Sequence, residues 1–384
     1  MEAVRFGIVG LGAMGLDHAK TILERVPEAE LCAVATRNPA HAQQIRELPG
    51  GQNVRVFESP EAMYASGAIE AVLIATPHRL HVAQATQAFE AGVHVLLEKP
   101  MGVCTQEVRA LNEAADRSGK AFGAMFNVRT HPAYVRMKQI VDSGELGEIR
   151  RTNVIITDWF RAQSYYDSGD WRATWDGEGG GVLLNQCPHQ LDLLQWICGL
   201  PKKVQAFCHE GHWHDIEVED DVTAYLEYEN GATGVFVTST GDAPGTNRFE
   251  VDLEWGKLVC ENNKLLLYKL SENEREFCKT AKGGFDSPEC HVEEVETDGE
   301  NPQHVGVLNA FAANILHGTP LVARGEEGIR GLTLSNAMHL SSWLHHPVEI
   351  PFDEDLYLEE LNKRRKTSRK KEATDVTFDT TGSY

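Results

Sequence analysis

The chain has 384 residues, too many for one small α/β unit and suited to two domains that each bury a core. Its net charge of -21 disfavours nucleic acid and anionic membrane as partners, and no apolar stretch reaches the length of a membrane span. Eight cysteines lie scattered, several in apolar segments (Cys32, Cys104, Cys198), so reduced thiols and, with no signal-peptide pattern at the start, a cytoplasmic location are expected.

The first apolar run begins at Arg5 and leads into Gly10-Leu-Gly12-Ala13-Met14-Gly15. A strand, a tight turn and a helix start in that order are built to hold a dinucleotide pyrophosphate. The first glycine allows the turn, the second lets the phosphate approach the backbone, and the third lets the helix pack on the strand. Further apolar runs at Ala29–Ala35, Ala71–Ala75, His94–Leu97 and Ala121–Phe126 alternate with amphipathic helical segments, one of which carries Ala83, Ala85 and Phe89 before Gly92. This alternation predicts a Rossmann-type parallel sheet covered on both faces over residues 1–126. The second strand ends in Thr36-Arg37, with no acidic residue to hold a ribose 2′-hydroxyl. A guanidinium suits a 2′-phosphate but would also cover an adenine face, so the cofactor is NAD or NADP.

The second half, residues 127–352, has a different texture. A helix is expected over Pro132–Val141, a turn at Ser143-Gly144, and a strand over Arg151–Trp159. Runs of β character follow at Lys203–Cys208, Val222–Tyr228, Thr233–Thr240, Arg248–Leu253, Lys257–Cys260 and Lys264–Lys269, with turn signals between them. They predict a large, mainly antiparallel open sheet in an α+β domain. Helices over His304–His317 and Glu326–Leu344 should pack on that sheet or return to the first domain. Residues 353–384 read as a polar tail, basic from Asn362, mobile or reaching a neighbouring subunit. Cys208, His209, His212 and His214 crowd together, but no repeated C-x-x-C spacing is present, so a polar connection is preferred and no metal is expected. The acidic run from His214 to Asp221 reads as a solvated turn.

Three places invite chemistry. Lys99 sits where a parallel strand ends, the edge at which open α/β sheets bind ligands, although position alone favours an ordinary surface lysine. His189 and Asn185 stand four apart, with Asp192 a turn further on; sharing a helix, they would form an acid–base cluster, although Pro188 tolerates only a first helical turn and a lone helical histidine is usually structural. The segment from Trp159 through Arg161 and Tyr165 to Trp171-Arg172 mixes flat aromatics with hydrogen-bonding groups, as a pocket for a pyranose or cyclitol would.

These motifs together resemble the Gfo/Idh/MocA family of nicotinamide-dependent sugar and cyclitol oxidoreductases. The resemblance is carried by Gly10–Gly15, Ala75-Thr76-Pro77 through His81, Glu98-Lys99-Pro100, Trp171-Arg172, and Gly179 to Asp192. It implies cofactor contacts from Gly10, Gly12, Ala13, Met14, Gly15, Thr36, Arg37, Thr76, Pro77, His81, Glu98 and Lys99. It implies a substrate pocket of Lys99, Asn127, Tyr165, Trp171, Arg172, Asn185 and His189, with Lys99, His189 and Asn185 catalytic, and a Lys99–Pro100 bond that is often cis. Many members have aspartate where this chain has Asn185, and an amide orients a hydroxyl without taking its proton. The implied reaction is hydride transfer between NAD(P) and a ring hydroxyl of a sugar, glycoside or cyclitol. The alternatives are a lyase, epimerase or glycosidase-like enzyme using bound NAD transiently, and a non-catalytic NAD(P) sensor. A homodimer or homotetramer is expected, because the open sheet leaves a face to cover.

Overall fold

The computed structural model describes residues 3–371 and contains two sheets, one six-stranded and one nine-stranded. Strands β1 (Val4–Val9), β2 (Ala29–Ala35), β3 (Arg55–Phe57), β4 (Ala71–Ile74), β5 (His94–Leu97) and β6 (Phe122–Ala124) form the first. Its order is β3-β2-β1-β4-β5-β6, and every pairing is parallel. The chain runs outward from β1 in one direction and then returns to β4 on its other side. The carboxyl ends of β1 and β4 therefore flank the crevice where doubly wound sheets bind ligands.

Helices α1 (Ala13–Arg25), α2 (Pro39–Glu47), α3 (Pro60–Ala65), α4 (His81–Glu90) and α5 (Thr105–Ser118) connect these strands. In α1 the buried Gly15, His18, Ala19 and Ile22 fall at helical spacing, which fixes the face turned to the sheet. The short β3 is the one strand of this sheet that hydrophobic runs do not signal. Its three residues hold only a half-buried edge beside β2.

The second sheet begins after α6 (Pro132–Ser143) with β7 (Ile149–Ile156). The short helix α7 (Gln163–Asp167) and helix α8 (Pro188–Cys198) follow. Then come β8 (Lys203–Glu210), β9 (Glu219–Glu227), β10 (Thr233–Ser239), β11 (Asn247–Leu253), β12 (Gly256–Glu261) and β13 (Lys264–Leu270). After α9 (Glu274–Thr280) and β14 (Cys290–Glu294) the chain forms α10 (Gln303–His317), α11 (Gly328–Leu344), β15 (Val348–Glu349) and α12 (Glu354–Lys366). The strand order is β14-β13-β12-β11-β7-β10-β9-β8-β15, antiparallel except where β10 lies parallel to β7. That parallel pair is allowed because a long crossover containing α8 separates the two strands. β14 is exposed along its whole length, so it lacks the alternation that marks a strand.

The two late helices part company. Val307, Leu308 and Phe311 of α10 join the core of the first sheet, where Phe311 meets Phe6 edge-on at 6.0 Å. Helix α11 instead packs within the larger core beneath the second sheet, through Leu334, Ala337 and Met338.

The expectation of a polar tail needs correction over its first part. Asp353 caps α12, Glu354 and Asp355 occupy its first turn, and Lys363 to Lys366 its last, which is the arrangement the helix dipole favours. Tyr357 and Leu361, four apart, are fully buried against this same chain, each contributing about 1.5–3 kcal/mol. With only two buried side chains among charged neighbours, the segment reads as tail in the sequence. Residues 372–384 of the expected tail lie outside the described residues.

Candidate active site

The three glycines after β1 serve three separate needs. Gly10 adopts φ +90°, and a Cβ there would sit 2.6 Å from the Ala75 carbonyl oxygen. At Gly15 a Cβ would lie 1.9 Å from the Gly10 carbonyl oxygen, so only glycine lets α1 approach the turn. A Cβ on Gly12 would meet nothing within 4 Å. That opening lies beside the first turn of α1, whose N-cap Gly12 makes no side-chain capping bond, so the helix amides remain available to an anion. The cradle fits a dinucleotide pyrophosphate.

Strand ends β4 and β5 form the next wall. Thr76, Pro77 and His78 line a cleft of about 400 Å³ together with Glu98 and Lys99. His81 does not line it. Its ring is buried between two carbonyls, with Nδ1 2.7 Å from Pro100 O and Nε2 2.7 Å from Thr76 O, and so it ties the two wall loops together. Glu98 Oε1 lies 2.6 Å from His18 Nε2, and Oε2 accepts the Lys99 amide at 3.1 Å. Burial raises the Glu98 pKa, but the His18 hydrogen bond and neighbouring charge outweigh it and hold the carboxylate at about 2. The Lys99–Pro100 bond is cis.

The opposite wall comes from the second half of the chain. Lys99 Nζ donates to the Asn185 backbone carbonyl at 3.1 Å, and burial lowers the pKa of the ammonium. Asn185 lies in the turn before α8, which starts only at Pro188, so Asn185 and His189 do not share a helix turn; both nevertheless line the cleft. His189 is buried, and burial with the Lys99 charge drives its pKa well below the usual histidine range, so the ring is neutral. Arg161 and Arg172 interleave with aromatic rings. Arg161 lies over Trp159 at 5.3 Å and Tyr165 at 5.1 Å, and Arg172 over Tyr165 and Trp171 at 4.6 Å each. Arg172 also donates to the Tyr165 hydroxyl at 2.9 Å.

Several expected residues lie elsewhere. Asp192 is not in an acid–base cluster: its two oxygens accept from Arg129 Nε and Nη2 at 2.7 Å each, in a buried ion pair. Asn127 is wholly buried in a turn, donates to Gln303 Oε1 at 2.5 Å, and does not line the cleft. Thr36 and the exposed Arg37 follow β2 outside the cleft lining, where Thr36 Oγ1 accepts the Asn38 amide at 3.1 Å. His214 is held by Asp220 at 2.8 Å and the Arg161 carbonyl at 2.8 Å, and no metal-type cluster occurs among the described residues.

The structure adds His78, Gln186 and His304 to the lining, and behind it Glu178. Glu178 is buried; Oε1 accepts the Asn185 side-chain amide and Oε2 the Ala173 amide at 2.6 Å. Burial raises its pKa to about 7 although these donors favour the carboxylate. Its one sequence signal is an acid directly before Gly179-Gly180-Gly181. A larger hollow of about 770 Å³ lies at the opposite edge of the first sheet, among Arg5, Arg25, Arg55 and Glu30. It contains none of the glycine turn, and ligands of such sheets bind at the carboxyl edge, so the smaller cleft is the candidate site.

Residues 4–126 match the oxidoreductase family with NAD-binding Rossmann fold, and residues 134–259 match the GFO/IDH/MocA C-terminal domain. The chain belongs to the Gfo/Idh/MocA family. It is similar to D-xylose 1-dehydrogenase (NADP(+)) 2 of Haloferax volcanii, with 30% identity over 66% of this chain and 74% of that protein. An inositol 2-dehydrogenase of Corynebacterium glutamicum is 27% identical over 60% of this chain and 65% of its own. Among solved structures, the WlbA dehydrogenase of Chromobacterium violaceum, in complex with NADH and UDP-GlcNAcA, superposes with TM-score 0.78 at 27% identity, covering 92% and 97% of the two chains. As a Gfo/Idh/MocA member the protein is an NAD(P)-dependent oxidoreductase.

Proposed function

We propose that this enzyme oxidises a secondary ring hydroxyl of a sugar, glycoside or cyclitol, or reduces the corresponding ketone. The observation that carries this reading is the convergence of Lys99 and His189 on the one cleft that also contains the glycine turn. Bound NAD(P) supplies the hydride acceptor. Gly10 to Gly15 would hold its pyrophosphate, Thr76 and Pro77 would border it, and Arg37 would face the adenosine ribose.

The chain's own residues supply the proton chemistry. His189 is neutral, so it can accept the hydroxyl proton, while the Lys99 ammonium stabilises developing charge on that oxygen. Asn185 anchors Lys99 through its carbonyl and offers an amide that orients without titrating. Trp171 and Tyr165 give flat surfaces for C–H faces of a ring, and Arg161 and Arg172 give donors for its hydroxyls. Glu178 fixes the Asn185 amide from behind. A panel of sugars, glycosides and inositols assayed at 340 nm with NAD and NADP tests the reading. A cofactor signal with one polyol supports it, and turnover without a net signal would replace it with transient oxidation.

Self-association belongs to the same proposal. On the outer face of the second sheet Phe207 is 59% exposed and Tyr225 43%, on adjacent strands and the same side. A dimer or tetramer pairing through this face is expected, and a monomeric mass in solution would contradict it.

A further inference from the structure

Two features have no part in the proposed chemistry: the acidic run at 214–221 and the basic end of the described chain. The structure brings them together. Beyond α12, residues 367–371 lie along the 163–176 segment that carries Tyr165, Trp171 and Arg172. The Ser368 hydroxyl donates to Glu217, and the Arg369 amide donates to the same carboxylate at 2.7 Å. Glu217 also accepts the Trp175 amide at 2.7 Å, and the Asp176 amide donates to Ser368 Oγ at 3.1 Å. The Arg369 guanidinium pairs with Asp215 at 2.7 Å. The half-buried Lys371 ammonium donates to the backbone carbonyls of Tyr166 at 2.8 Å and Arg172 at 3.3 Å, on either side of Trp171.

The base of this arm is fixed. Tyr357 and Leu361 of α12 are fully buried, and the Arg364 guanidinium covers Trp343 at 4.0 Å. The segment it crosses has only a five-residue helix, α7, for regular structure. Its other anchors include the Tyr166 hydroxyl on Thr240, just past β10, and the Asp215 amide of the β8–β9 loop donating to Gln163. A lysine at 371 suits the task because one ammonium carries three donors and can serve two carbonyls at once.

We propose that residues 367–371 are a strap that holds the 163–176 segment over the cleft, with Lys371 the positioning residue that sets substrate affinity. The proposal rests on the reading that this segment contacts substrate. The strap acts on the loop backbone and touches neither Lys99 nor the glycine cradle, so it governs KM and leaves the chemical step alone.

The test uses the full-length enzyme with Lys371→Met and Lys371→Arg, read by hydrogen exchange across 163–176, by KM and kcat for the polyol found active, and by cofactor affinity. Lys371→Met is expected to speed exchange across the segment and raise KM about tenfold, as loss of a charged hydrogen bond does, with kcat and cofactor affinity within about twofold. Lys371→Arg should restore both. Unchanged exchange in Lys371→Met would overturn the strap. Faster exchange with unchanged KM, or a fall in kcat alone, would overturn its role in substrate affinity. If no polyol is turned over, the reading of the reaction fails, while exchange still decides the strap.

Discussion

The Lys99 ammonium donates to the backbone carbonyl of Asn185 at 3.1 Å, joining residues 86 apart in sequence. One comes from the end of β5 in the first sheet, the other from the turn before α8 beneath the second. The proposed reacting group is therefore positioned by both halves of the molecule, and a shift of either displaces it from the cofactor cradle.

Replacing Lys99 by methionine keeps the stem and removes the ammonium. A loss of about 10²–10⁴-fold in kcat is expected, the scale of one acid–base or charge-stabilising group, with a much smaller change in cofactor affinity because the glycine turn would hold the pyrophosphate. Nicotinamide fluorescence titration and steady-state rates on the same preparation check this; an arginine at 99 should not rescue, because its planar fork cannot reproduce a compact ammonium.

Gly12 and Gly15 separate cofactor binding from folding. Gly15→Ala forces a methyl to 1.9 Å from the Gly10 carbonyl and should lower Tm. Gly12→Ala meets open space, so Tm should hold while cofactor affinity falls, the methyl standing where the pyrophosphate approaches. Thermal melts and cofactor titrations of both variants distinguish the two effects.

Most of the Rossmann half was legible because its longer elements each carry their own signal. β2 and β5 coincide with the apolar runs at Ala29–Ala35 and His94–Leu97, and the turn glycines are spaced by what a helix start beside a strand requires. Short or one-sided elements were not. β3 has three residues, β14 is exposed throughout, and α12 hides two buried side chains among charges. Within the site, motif residues such as Lys99 and His189 could be named, but partners such as Glu178 could not, because a contact between Glu178 and Asn185 is set by the path of a loop with no periodicity. Spacing also misled: Asp192 follows His189 by three residues, yet the helix turns it to Arg129.

Glu178 gives a pH signature. Both of its oxygens accept N–H donors, so the ionised form fits the site, and its pKa of about 7 means that acidification below neutrality protonates it and removes an acceptor from Asn185. Activity should fall as pH drops through about 7. Glu178→Gln should flatten that limb and lower kcat about tenfold, as loss of a charge-assisted hydrogen bond does. A kcat/KM profile in which wild type and variant share the same acid limb would remove Glu178 from this role.

Glu98, whose pKa is shifted the other way, should show itself in stability. Its pKa is depressed in the fold to about 2, so its contribution is fully present above the ordinary carboxylate pKa and is lost as pH falls from there through about 2. Glu98→Gln should therefore melt below wild type at neutral pH, with the gap closing on acidification. A gap independent of pH would mean that packing, not charge, accounts for the difference.

The most direct measurement of the proposed reaction is absorbance at 340 nm during incubation of the purified enzyme with NAD or NADP and a panel of sugars, glycosides and inositols, with Lys99→Met in parallel. A steady rise with one polyol, lost in the variant, is the expected result. Consumption of a glycoside with no net change in the cofactor, or a rise undiminished in Lys99→Met, would contradict it.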